Sequence, residues 1–112
     1  MANYQSVTPT RLGQQAVTTS YATAYTVVDR MRTYLKQIDV CNTTTAPINV
    51  SISIVPTGGT ASASNAILYA TPVPASGLLQ WSGVQVMMAG DTLQVKGNAA
   101  GLTVTVSGGE AV

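Results

Sequence analysis

The sequence predicts an all-β fold: an antiparallel β-sandwich or jelly-roll-like domain of about eight short strands with an extended N-terminal arm. Three observations lead there. Aliphatic residues alternate with Thr and Ser in several short runs. Turn signals recur about every 8–12 residues. No stretch repeats its apolar residues at helical spacing. The 112 residues suit one domain with an ordinary core.

Residues 1–20 are expected as a polar arm and residues 21–112 as the sandwich. The arm carries Gln5, Thr8, Pro9, Thr10, Gln14, Gln15, Thr18, Thr19 and Ser20 among few apolar residues. It holds neither a helical repeat nor a long alternation, so an extended or irregular path is expected, and its deletion should leave the body folded. From about residue 22 the period-2 signal takes over. Ala24 to Val28 reads as a strand, Asp29-Arg30 as a turn and Thr33 to Cys41 as a second strand. Alternation there puts Tyr34, Lys36, Ile38 and Val40 on one face and Leu35, Gln37, Asp39 and Cys41 on the other.

Ile48 to Ile54 alternates most cleanly. Ile48, Val50, Ile52 and Ile54 point one way and Asn49, Ser51 and Ser53 the other, so a one-residue slip would expose all four aliphatics. Burying them contributes on the order of 6–12 kcal/mol before conformational entropy is set against it. Pro56 to Asn65 reads as a loop around Gly58-Gly59, and Ala66 to Tyr69 as a short strand. Pro72 and Pro74 lack ladder donors, which keeps their segment off a central strand. Gly77 to Trp81 and Val84 to Met87 read as two strands about a Ser82-Gly83 turn. Ala89-Gly90-Asp91 is a tight turn. Thr92 to Lys96 and Leu102 to Val106 complete the set, with a turn over Asn98 to Gly101 between them.

Charge is scarce. Asp, Glu, Lys and Arg make up 8% of the chain, against about 25% in a typical soluble domain. Polarity comes instead from 16 Thr, 9 Ser, 7 Gln and 5 Asn. Five cations and a net charge of +1 give no footprint for gripping a polyanion, so no nucleic-acid partner is expected. The apolar runs fall far short of a bilayer span, and no membrane partner is expected. Met1 to Ser6 has neither the basic nor the apolar region of a signal peptide, which predicts synthesis in a cytoplasm.

The residue inventory argues against catalysis. With no histidine, the commonest general base and metal ligand is missing. Among the four acids, Asp29, Asp91 and Glu110 fall at turns or near the end of the sequence and Asp39 inside a strand, so a facing carboxylate pair is not expected. Asp91 is expected to hold a turn by accepting backbone N–H groups. No Asp-x-Asp spacing suggests calcium, no Gly-Lys-Ser/Thr follows Gly58-Gly59 or Gly108-Gly109, and no cofactor or metal is expected. Cys41, the single cysteine, excludes an internal disulfide and reads as a buried small hydrophobe. Asn42-Thr43-Thr44 matches the glycosylation pattern in form only. Arg30, Arg32 and Lys36 are the one local concentration of positive charge, expected as a solvated or interface cluster with Asp29 and Asp39. The scattered Tyr4, Tyr21, Tyr25, Tyr34, Tyr69 and Trp81 suit core and interface packing better than a sugar platform. Candidate interface residues are Arg11, Arg30, Arg32, Lys36, Tyr4 and Trp81. A domain with so few charges invites association, which predicts a homo-oligomer or docking onto a larger assembly.

The succession Ile38-Asp39-Val40-Cys41-Asn42-Thr43-Thr44, Ile54-Val55-Pro56-Thr57-Gly58-Gly59 and Ala66-Ile67-Leu68-Tyr69 resembles small virion proteins of tailed bacteriophages. Ala89-Gly90-Asp91-Thr92-Leu93 and Val104-Thr105-Val106-Ser107-Gly108 continue the resemblance, which spans about residues 24–108. Val28-Asp29-Arg30 departs from it, standing where such proteins often carry a Val-Pro-Ala-Gly turn. The resemblance implies a non-catalytic structural role on the virion exterior, in contact with capsid or other virion proteins. Capsid decoration (cementing) is the favoured form, with trimers as the expected oligomer. A neck, collar, tail or fibre accessory module that binds a receptor or carbohydrate is the alternative.

Overall fold

The computed structural model describes residues 7–111. Eight strands are found among them: β1 (Val7–Ala16), β2 (Ala22–Thr26), β3 (Arg32–Asn42), β4 (Ile48–Val55), β5 (Ala66–Val73), β6 (Leu78–Met87), β7 (Thr92–Gly97) and β8 (Leu102–Ala111). One short 3-10 turn, Ala63–Asn65, precedes β5. The strands form two four-stranded sheets, ordered β1-β8-β3-β6 and β2-β7-β4-β5.

Every ladder is antiparallel, and the pairing is nested. β1 lies beside β8, β2 beside β7, β3 beside β6 and β4 beside β5. The chain behaves as one long hairpin rolled into two sheets, with β3–β8 and β4–β7 closing the roll. This is a jelly roll, the second of the two all-β forms expected. Leu35, Ile38, Val40, Val50, Ile52, Val95 and Val104 fill the space between the sheets.

The polar N-terminal stretch enters the sandwich. From Val7 to Ala16 it pairs along β8, and Leu12 packs against the core. Its alternation is hidden in sequence because the register shifts between Arg11 and Gly13. A bulge also corrects the faces of β3. Against β8, Leu35 pairs with Gly108 and Gln37 with Ser107, leaving Lys36 as an extra residue. The side-chain phase flips there, so Thr33, Leu35, Ile38, Val40 and Asn42 are all buried. Cys41 is consequently exposed, not a core residue.

β4 is a central strand, with Ile48, Val50 and Ile52 in the core and Ile54 partly buried against it. Its serines are buried too, because β5 and the loop before it cover them. Ser51 Oγ accepts from the Ala70 N–H at 2.9 Å, and the Ser53 hydroxyl donates to the Ser62 carbonyl at 3.3 Å. Pro72 is tolerated because β5 is an edge strand. No turn forms at Ser82-Gly83. β6 runs straight through, with Gly83 and Val84 looped opposite Lys36. The count of eight is thus reached by a different division: β1 is added and two expected strands merge.

Candidate interaction surface

Four edge strands, β1, β6, β2 and β5, and two outer faces bound the sandwich. β6 forms one edge, and its flank is apolar: Leu78, Val84, Val86 and the following Met88 are between 48% and 56% exposed. From Leu78 to Met88 the chain holds no charged residue. Residues 82–86 are exposed without interruption, where alternation would normally hide every second side chain. The irregularity opposite β3 is the local cause, since two β6 residues, Gly83 and Val84, face the single residue Lys36 there.

Beside this flank lies a cavity of about 340 Å³, lined by Pro9, Tyr34, Lys36, Val84, Gly108 and Gly109. Its floor is open because β8 carries two glycines where neighbouring strands crowd. A Cβ on Gly108 would run into the Tyr34 carbonyl oxygen. A second cavity, of about 180 Å³, is bounded by Asn49, Ser51, Tyr69, Ala70, Lys96, Gly97 and Asn98 on the other sheet. Nearby, the Lys96 ammonium sits 4.9 Å from the centre of the Tyr21 ring, a cation–π contact.

The sequence-predicted candidates do not converge. Arg11 lies on β1 opposite Ser107, Arg30 in the turn before β3 at φ 66°, Arg32 at the start of β3 and Lys36 at the rim of the larger cavity. Trp81 is partly buried against the core. Tyr4 lies outside the described residues. Two of the acids take neutral side-chain donors. Asp39 accepts from the Gln37 amide at 3.0 and 3.1 Å, and Glu110 from the Tyr25 phenol at 2.6 Å. Asp91 does hold its turn, accepting from the N–H groups of Met88 at 2.9 Å and Thr57 at 3.3 Å.

Asn42 does not suit the role of glycan acceptor. It is buried, and its side-chain amide donates to the carbonyls of Ala46 and Val73 at 2.8 and 3.1 Å. Among the described residues no three His, Cys, Asp or Glu side chains gather as a metal site, and no helix is long and apolar enough to cross a membrane. Sequence reasoning missed Glu110, which sits inside the sandwich end, not at a loose terminus. It also missed Tyr69, which is 60% exposed on β5. The Gly108-Gly109 pair hid the continuation of β8 that carries Glu110 inward.

No protein-family model matches this chain, and no curated protein matches it. A solved structure titled "Structure of infectious bursal disease virus Gx strain" is similar over 96% of this chain, at 12% identity and a TM-score of 0.32. This chain spans 28% of the length of that one.

Proposed function

We propose that the chain is a non-catalytic structural component of a tailed-phage virion, and within it a decoration protein that binds the outer head surface and ties neighbouring capsomers together. The observation that carries the assembly role is the β6 flank: uncharged over eleven residues, with Leu78, Val84, Val86 and Met88 all exposed. An uncharged surface with clustered exposed apolar side chains favours association in water. The jelly roll by itself selects no role, since one fold hosts many functions. The phage address is drawn from the sequence resemblance. Each copy contributes a modest contact, and repetition over a lattice supplies avidity.

The test compares particles assembled with and without the chain. Particles lacking it should release their DNA at lower temperature or on chelation, and adding back purified protein should restore them. Equal resistance in both preparations would contradict cementing.

One observation favours the alternative of a carbohydrate- or receptor-binding accessory module. The cavity beside exposed Tyr69 is edged by Asn49, Asn98 and Lys96, a stacking ring among polar groups. Glycan-array binding that is lost on Tyr69→Ala would select this reading over cementing.

A further inference from the structure

Four strands lie at sheet edges: β1, β6, β2 and β5. Three of them carry features that discourage a further strand. β1 has Pro9, the cation Arg11 and a register break before Gly13. β2 is only five residues long and is broken between Thr23 and Tyr25. β5 contains Pro72 and holds Ala70 at φ 47°, and its ladder to β4 shifts twice. β6 differs. From Leu78 to Ser82 it pairs residue for residue with Cys41 back to Gln37, and this stretch has no proline, glycine or charge.

We propose that Leu78–Ser82 pairs antiparallel with the same stretch of a second copy of this chain, about a twofold axis at Gln80, joining two four-stranded sheets into one of eight. Gln80 then meets Gln80 of the copy, Leu79 meets the copy's Trp81, and Leu78 meets the copy's Ser82. A twofold contact brings like residues together on its axis, where a charge would repel itself. Here the axial residue is a neutral amide that both donates and accepts. Leu79 and Trp81 sit partly buried at the margin of the core and cover each other across the new ladder. A foreign strand would find no charge on β6 to select it, whereas self-pairing needs none. The inference shares the β6 surface with the assembly reading but commits only to self-pairing. Its failure leaves docking onto another protein intact, and loss of that docking leaves self-pairing intact.

The experiment uses the full chain with exposed Cys41 replaced (Cys41→Ser) and one cysteine introduced at a time, under mild oxidation. Leu78, Gln80 and Ser82 are exposed, so the substitutions spare the core. Gln80→Cys is expected to link to its own copy about tenfold faster than the exposed control Ser64→Cys, because directly paired Cα atoms lie within disulfide range. Leu78→Cys or Ser82→Cys alone should link no faster than the control, since like residues then lie about 14 Å apart along the ladder. Mixed together, those two chains should link to each other. Parity of Gln80→Cys with the control overturns the proposal, as does sedimentation of the unmodified chain as a monomer at about 100 μM. A threefold assembly also overturns it.

Discussion

The Tyr25 phenol donates a 2.6 Å hydrogen bond to the Glu110 carboxylate and so ties one sheet to the other, β2 to β8. A phenol has one proton, so the buried Thr33 hydroxyl, 2.7 Å away on β3, donates in turn to the phenol oxygen. Burial and the adjacent carboxylate push the phenol up to about 12 from 10.0. The group therefore stays protonated at neutral pH and serves as a fixed donor.

Two outcomes are expected from this clasp. Tyr25→Phe should cost about 1–3 kcal/mol in urea unfolding, because Glu110 and Thr33 both lose their partner. Stability should also fall as pH rises from 10 to about 12, since the unfolded phenol ionises first while the folded one keeps its proton. Tyr25→Phe should flatten that part of the pH profile.

Asn42 closes the corner after β3. Its carbonyl oxygen accepts from the Thr44 N–H at 2.9 Å and the Thr44 hydroxyl at 2.7 Å, while its amide holds Ala46 and Val73. Asn42→Ala should cost about 3 kcal/mol, measured by thermal or urea unfolding, since the Val73 carbonyl is left buried without this donor and three part-buried bonds at the corner go with it.

Gly108 lets β8 pass against β3 at the bulge. Gly108→Ala places a Cβ on the Tyr34 carbonyl oxygen, whose backbone cannot move without breaking the ladder. A loss of about 2 kcal/mol is expected, with faster hydrogen exchange at Tyr34 and Leu35.

Removing residues 1–16 should unfold or aggregate the protein, read by circular dichroism and sedimentation. It strips β1 from β8 and takes away Leu12. Removing residues 1–6 alone leaves every described pairing in place and should keep the transition. The contrast separates β1 as part of the sandwich from an arm dispensable for folding.

The fold class was legible because alternation survives in Thr92–Lys96 and Leu102–Val106, where the strands are regular and one face is buried, and in the Ile48–Ile54 sequence, although β5 buries the second face of that strand as well. What the sequence hid lies at bulges. Lys36 inverts the faces of β3, and this one extra residue hides both the burial of Leu35 beside Ile38 and the exposure of Cys41. Strand β1 was masked by its polarity and its break at Leu12. Ser82-Gly83 imitates a turn in composition, although β3 on one side keeps the chain extended. The β6 flank was foreshadowed only as a shortage of charge, because which apolar residues stay exposed depends on sheet order.

Electron microscopy of intact phage particles, with the chain located by antibody or by fitted density, measures the assembly role most directly. The expected result is repeated density for this jelly roll on the outer head surface, with β6 in contact with a neighbouring subunit. Particles that lack the chain, or that carry it with β6 facing open solvent, would contradict the role proposed for it.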